Sequence, residues 1–530
     1  MLKLSRPFSN YESKAGMSNN QPAGNKPRWQ KLILLIYPFL LAYYPVFALR
    51  NHNIIYVDLS TILRTLILVT VATAVIWAIT YLFIRDLEKS SIIVSLIILF
   101  FLTYGHFYIQ LEDILGNPIR HLYLAGAGFL ISLVITIIIL KNGQAARVIS
   151  QFLAVVSIVL LALALFESVR YDIGLYRATV AAAQREAPNT TSQVNENLPD
   201  VYLIILDAHT RSDVLKSRFE YDNTDFVREL NEMGFYVASC SQSNYASTKL
   251  SLFSSMYGDY IQNIVEQGEI LPSLKASAFN QTLRALGYKT ITYENRSRGH
   301  FDLKEDIRLS RNQMAFGKFD LRGGISEFEK MIIDTSFLRF LVDTELFPGF
   351  DDNTLLEWEL WEHYYQTHYI LSDLEEVAEI PGPKFIFAHI MVPHSPFIFN
   401  PDGSYQRRVN TIDGYRSNVQ FIDNRLPSTL QNIIEKSGTP PIIILMGDHG
   451  PSTQKTITKQ MRMAILSAYL VNNRTKEQLY PSITPINAVR IILNSHYEGT
   501  YPLLEDVSYY AYKTSQIPDA EVIANDCQPR

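Results

Sequence analysis

Apolar positions crowd the first third of the chain and thin out after it. Between Leu32 and Phe166 lie five stretches without a formal charge: Leu32–Leu49, Thr65–Ile84, Ser90–Leu111, Leu122–Leu140 and Val148–Phe166. A bilayer core takes about 20 residues of helix to cross. Helices apolar on every face are rare in soluble cores, so the pattern predicts five membrane spans. Pro38 and Pro45 interrupt the first of them.

Beyond Phe166 the pattern changes. Glu167–Arg185 reads as a juxtamembrane helix and Glu186–Pro199 as a polar linker. From Asp200 onward, β-rich runs alternate with helical patterns: Val201–Leu206, Phe235–Ser239, Thr290–Glu294, Phe385–Ile390 and Ile442–Gly447. Such alternation predicts an α/β domain with a mostly parallel sheet. Between the strands, Asp222–Met233 carries Phe226, Leu230 and Met233 at helical spacing, and Gly234 stops it. Ile325–Leu346 and the Trp- and Tyr-rich Leu355–Val377 are amphipathic, and their apolar stripes read as core in preference to a lipid-facing surface. The expected organisation is a tail over 1–31, five spans over 32–166, a juxtamembrane helix and linker over 167–199, and one domain over 200–530.

Charge orients this layout. The tail carries Lys3, Arg6, Lys14, Lys26, Arg28 and Lys31, the second loop Arg85 and Lys89, and the fourth loop Lys141 and Arg147. The other loops hold few cations, chiefly Arg50, Arg64 and Arg120. Positive loops stay in the cytoplasm, so the tail is expected inside and everything after Phe166 outside a cytoplasmic membrane. No removable signal peptide is recognisable, and the first span is expected to be retained. Of the two cysteines, Cys240 and Cys527, an oxidising compartment permits a bridge, but one available pair with no spacing pattern does not argue for it.

In an open parallel sheet, ligands gather beyond the carboxyl ends of the strands. Strand Val201–Leu206 runs into Asp207, and Ile442–Gly447 into Asp448 and His449. Carboxylate with imidazole suits Zn²⁺ or Mn²⁺, although an Asp after a strand also caps turns. After Phe235–Ser239 comes SQSNYASTKLSLFSSM, where Ser247 or Thr248 opens a helix. A hydroxyl there is either an N-cap or a nucleophile placed where a helix N-terminus favours phosphate. His389, inside FIFAHI, reads as a core histidine.

Five segments, in order, are PDVYLIILDAHTRSDVL, GFYVASCSQSNYASTKLSL, FIFAHIMVPHSPFIF, PPIIILMGDHGP and LYPSITPINAVRIILN. This series resembles the ordered motifs of sulfatase-like hydrolases and transferases of the alkaline phosphatase superfamily. With five spans ahead of it, the layout is similar to lipoteichoic acid synthases and lipid A phosphoethanolamine transferases. The resemblance implies Asp207, Thr248, Asp448 and His449 as ligands of a divalent metal, Zn or Mn. It also implies Thr248 as nucleophile and His394 as the histidine serving substrate phosphate or leaving group. His209, Arg211, Asn244 and His300 are candidates for the surrounding shell or for phosphate contact.

One departure matters. Sulfatases that oxidise a Cys or Ser to an aldehyde carry it in a C/S-x-P-x-R pattern, whereas Cys240 begins CSQSN. The resemblance therefore implies transfer of a phospholipid headgroup, of phosphoethanolamine or phosphoglycerol type, to a glycan, lipid or polymer acceptor through a phosphothreonine. Alternatives are a phosphodiesterase or sulfuric-ester hydrolase, or a non-catalytic membrane sensor. The spans carry almost no ionisable residue besides His106, which speaks against a transport path. The expected partners are the membrane, a lipid donor and that acceptor, with no nucleic acid.

Overall fold

A computed structural model describes residues 28–55, 57–116, 120–185, 198–265, 270–294, 301–311, 325–344, 352–408, 411–451 and 456–527. The candidate His300 lies outside the described residues.

Five helices among these are long and apolar enough to cross a membrane: α1 (Arg28–His52), α2 (Leu63–Ile84), α3 (Leu87–Leu115), α4 (His121–Lys141) and α5 (Gly143–Arg185). Helix α1 runs unbroken through both of its prolines. Pro38 has no N–H for the carbonyl of Leu34, one turn back. Ser91 of α3 fills that place, its Oγ donating to Leu34 O at 2.6 Å. A neighbouring hydroxyl thus satisfies the carbonyl that the proline leaves open, as lipid surroundings demand. Helix α5 is 43 residues long, about 65 Å at helical rise. The expected juxtamembrane helix Glu167–Arg185 is therefore continuous with the last apolar stretch as the C-terminal half of α5, which Gly174 does not interrupt.

The α/β part is built on a mixed sheet. Its strands are β1 (Val201–Leu206), β2 (Tyr236–Val237), β3 (Lys289–Tyr293), β4 (Ile307–Leu309), β5 (Lys384–Ile390), β6 (Ile442–Gly447) and β7 (Ser467–Leu470). Among the described residues their order is β2-β7-β6-β1-β5-β3-β4, parallel from β6 to β4 and antiparallel where β7 meets β6 and β2. Strands β4 and β7 add to the expected set. The second expected strand shrinks to two residues, because pairing ends where Ala238 N reaches Ser467 O. Helices α6 (Ser212–Phe219) and α7 (Thr224–Glu232) follow β1, and α8 (Thr248–Tyr257) follows β2.

Each face of the sheet has its own apolar layer. Val201, Leu203 and Ile205 of β1 pack with Leu250, Phe253 and Met256 of α8 on one face. Tyr202, Ile204 and Leu206 pack with Phe226 and Leu230 of α7 on the other. Leu371 and Leu374, from the long helix Asp352–Val377, belong to this second layer, so that stripe is core as expected.

The two halves are joined by more than one chain crossing. The expected amphipathic segment Ile325–Leu346 forms two short helices, Glu327–Thr335 and Leu338–Asp343, that dock on the span bundle. Arg64 pairs with Glu329, and His121 Nε2 lies 2.7 Å from Asp343 Oδ2. On the C-terminal half of α5, Thr179 Oγ1 accepts from Ser273 N at 2.9 Å.

Cys240 and Cys527 form a disulfide, 287 residues apart in sequence. That separation is why no local pattern announces it. The bridge fastens the C-terminal tail beside the loop leading to α8, where Asn525 Nδ2 also donates to Cys240 O at 2.8 Å. Thiol-reactive labelling of denatured, unreduced protein is expected to find no free thiol, and two after reduction. Two labelled thiols without reductant would contradict both the bridge and an oxidising location for this half.

Candidate active site

Register assembles the site. Leu206 pairs with Ile390 on one side and with Gly447 on the other. The next residues, Asp207 and Asp448, therefore leave the sheet side by side on its carboxyl edge. Side chains alternate along a strand, so Asp207 and Asp448 point to the face that carries Ile205 and Met446. His389 pairs with Ile205 and shares that face. Helix α8 packs on the same face, which brings its first residue, Thr248, over the same edge.

Gly447 and Gly450 bracket the Asp-His pair for steric reasons. A Cβ on Gly447 would lie 2.1 Å from His209 O, and one on Gly450 2.1 Å from Met461 O. The close packing of these turns excludes any side chain.

Asp448 Oδ1 accepts from the backbone N–H of Ala208 and of His449, each at 2.9 Å. Its Oδ2, like Asp207 Oδ1, is buried without a hydrogen-bond partner among the described residues. One ligand atom from each of Asp207, His389 and Asp448 can be chosen so that all lie within 4.8 Å of one another. His449 Nε2 is 3.3 Å from Asp448 Oδ2, 3.9 Å from Asp207 Oδ1 and 3.2 Å from Thr248 Oγ1. His449 Nδ1 lies 3.0 Å from Gly450 O and must donate to it, which leaves the lone pair on Nε2 facing the site. Burial, aided by the charge of Arg462 and opposed by Asp448 and Asp207, pushes His449 down to about 4, so it is neutral at pH 7. Two orphaned carboxylate oxygens facing a neutral imidazole and a hydroxyl are a donor set that fits Zn²⁺ or Mn²⁺.

His389, read as core from the sequence, faces this group, with Nε2 3.2 Å from Asp207 Oδ2. Burial favours neutral Asp207, but the hydrogen bond from His389 leads the effects that outweigh it and hold the carboxyl below the usual range. The orientation of His389 follows from register, which the isolated strand does not reveal.

The hydroxyl at 248 does not cap its helix. Ser247 is the N-cap and makes no side-chain cap bond; its Oγ donates instead to Tyr512 O at 3.2 Å. His394 stands in the loop after β5. Its backbone N–H donates to Asp207 O at 2.9 Å, and its Nδ1 to Ser395 O at 2.7 Å, leaving Nε2 as its open nitrogen.

The other candidates lie apart from the edge. His209 Nε2 meets Asp423 Oδ1 at 2.8 Å and its Nδ1 meets Thr210 O at 3.1 Å, so both ring nitrogens are engaged in the core. Arg211 forks onto Asp213 at 2.9 Å and reaches Asn525, bracing the C-terminal tail. Asn244 bonds Val507 O and Ile486 N in the interior.

Two further residues carry no motif in the sequence. Arg462 donates to Ala246 O and to Gly450 O, both at 2.7 Å, and so ties the turn before Thr248 to the turn after His449. Lys249 adjoins Thr248, and burial, partly offset by Asp58, pushes its amine down to about 8. A cavity of about 550 Å³ is lined by Asp207, Thr248, Lys249, His389 and His394, together with Ile55, in the turn after α1, and Tyr171 of α5.

Asp448→Asn or His449→Ala is expected to lose bound Zn or Mn, measured by elemental mass spectrometry, while circular dichroism shows a retained fold. Full metal content in both variants would contradict this donor set.

The sulfatase family's sequence model matches residues 199–490, more than half of the chain. Solved structures with similarity include the C-terminal periplasmic domain of EptC from Escherichia coli in complex with zinc, at 12% identity, covering 64% of this chain and 96% of that one, TM-score 0.42. The corresponding domain of phosphoethanolamine transferase EptC from Campylobacter jejuni is 12% identical and covers 57% and 92%, TM-score 0.36. The integral membrane lipooligosaccharide phosphoethanolamine transferase A from Neisseria meningitidis is 12% identical and covers 87% and 94%, TM-score 0.34. No curated protein matches.

Proposed function

The chain belongs to the sulfatase family of the alkaline phosphatase superfamily, and on that footing we propose that it moves a phospholipid-derived headgroup to an envelope acceptor, using Thr248 as nucleophile. The supporting observation is the placement of Thr248 Oγ1 at 3.2 Å from His449 Nε2, on the edge where Asp207 and Asp448 carry unpartnered oxygens. Cys240 is bonded to Cys527, so no free thiol exists beside α8 for the aldehyde chemistry of other sulfatases.

Asp207, Thr248, Asp448 and His449 would hold a divalent ion, with His389 steadying Asp207. Such an ion lowers the pKa of a coordinated hydroxyl and offsets charge on a phosphate. Thr248 Oγ1 attacks phosphorus as its proton passes to solvent in the open cavity, and the bond from phosphorus to the glycerol oxygen breaks. His394 Nε2 supplies the proton that the departing diacylglycerol oxygen takes up. The backbone N–H groups at the start of α8 and the Lys249 ammonium favour the anionic phosphate. In the second half, an acceptor hydroxyl gives its proton to His394 Nε2 and attacks the phosphothreonine, the bond from phosphorus to Thr248 Oγ1 breaks, and Thr248 Oγ1 takes back a proton from solvent. Arg462 holds the two turns in register throughout.

The site opens toward the spans, with the tail and the second and fourth loops on the cytoplasmic side and the α/β domain outside. Both substrates are then reached from the outer leaflet or the envelope.

Replacing Thr248 separates a nucleophile from a bystander. Thr248→Ala is expected to lower turnover by orders of magnitude. Its melting temperature should stay level or rise slightly, since no cap bond is lost and Ala is the better helix former by about 0.5 kcal/mol. Thr248→Ser should retain part of the activity. Near-normal turnover in folded Thr248→Ala would refute the assignment.

A further inference from the structure

A second cavity, of about 500 Å³, lies between α1 and α5, lower in the spans than the catalytic one. On α1 it touches Tyr44, Ala48 and Asn51, and Ile55, in the turn that follows the helix, lines the catalytic cavity. On α5 it touches Leu160, Ala164 and Glu167, and that stripe continues to Tyr171 in the catalytic cavity. The α5 stripe steps by four, three and four residues, the spacing of one helix face, and Tyr44, Ala48 and Asn51 keep the same spacing on α1. The two cavities therefore lie one above the other along a single face of α5. Over the eleven-residue stripe the path along this face rises roughly 16 Å, about half of a hydrocarbon core of roughly 30 Å.

The path changes character with height. Its lower wall is Tyr44, Ala48 and Leu160, and Leu163 beside it is 62% exposed, so the groove opens sideways to lipid chains. Midway, a polar band crosses it. Asn51 Nδ2 donates to Ala164 O at 2.8 Å and to Glu167 Oε2 at 3.2 Å, and Ser168 Oγ donates to Asn51 Oδ1 at 2.6 Å. At the top, Lys249 Nζ reaches Ile55 O at 3.3 Å, which sets a cation where the path enters the catalytic cavity. Apolar, then polar, then cationic is the order of tail, glycerol ester and phosphate in a lipid of the outer leaflet.

We propose that the α1–α5 groove is the acyl-chain subsite for the donor glycerophospholipid, with tails between Tyr44 and Leu160, glycerol esters at Asn51 and phosphate at Thr248. This rests on the headgroup-transfer reading above. The groove adds selection by the lipid's tails to selection by its headgroup, and it explains why the catalytic domain is seated on the bundle instead of tethered to it.

The test uses the full chain in nanodiscs containing phospholipid with a diazirine at the acyl terminus or near the ester carbonyl. After irradiation, the terminal probe is expected on peptides with Tyr44 or Leu160, and the carbonyl probe on peptides with Asn51 or Glu167, in wild type and in Thr248→Ala alike. Ala48→Trp should displace that labelling. It should also lower the kcat/KM preference for a dioleoyl over a dihexanoyl donor by roughly tenfold, the equivalent of about two methylenes of lost burial. Labelling spread evenly over α2 and α4, or an unchanged preference in an active Ala48→Trp, would overturn the groove and leave the transferase standing. Labelling as expected in a wild type that consumes no phospholipid would overturn the transferase reading and the donor assignment with it.

Discussion

Two carboxylates are held side by side in the interior, and that is the constraint on which the rest of the site depends. Parallel pairing of β1 with β6 leaves no freedom in where Asp207 and Asp448 emerge. With ligand atoms within 4.8 Å of each other, two like charges repel by roughly 3.5 kcal/mol at an effective dielectric of 20. His389 answers one oxygen of Asp207, and backbone N–H groups answer one of Asp448. The remaining pair of oxygens has no hydrogen-bond partner among the described residues, and the proposed divalent ion would answer both. Thr248, His449 and Arg462 are arranged around that pair, and the chemistry proposed for Thr248 follows from the placement of its hydroxyl beside His449.

The same sheet explains how the site faces the membrane. Helix α8 lies on the face that α5 approaches, and Ser273 bonds to Thr179 across the junction. The paired helices after Ser326 clamp the bundle through Glu329 and Asp343. The edge stands past the end of α1 and beside the middle of α5, a placement that suits the proposed donor, which stays in the bilayer until its headgroup is taken.

Much of this was legible in the chain. VYLIIL and IIILMG are continuous apolar runs bounded by Asp, and their strands match those bounds because parallel strands are buried on both faces. The five spans were equally plain, since length and apolarity suffice to mark them. What escaped depends on distance in sequence or on register. Strand β7 is only Ser-Ala-Tyr-Leu and takes its identity from β6. The side of β5 on which His389 falls is decided by its pairing with Ile205. Arg462 acts by bonding two turns that are far apart in the chain, and Cys240 finds Cys527 through the folded tail. His209 looked promising because it follows Asp207 closely, yet the turn at Ala208, with φ of 67°, sends it inward to Asp423.

In the proposed mechanism the headgroup rests covalently on Thr248 between donor and acceptor. The most direct measurement is to incubate purified wild type with phospholipid isotopically labelled in its headgroup phosphate, without acceptor, then quench, digest and map the protein. The account predicts a labelled phosphodiester on the peptide containing Thr248, formed in step with released diacylglycerol and missing from Asp448→Asn. Release of diacylglycerol with no label on protein, or label on Ser247 in place of Thr248, would contradict it.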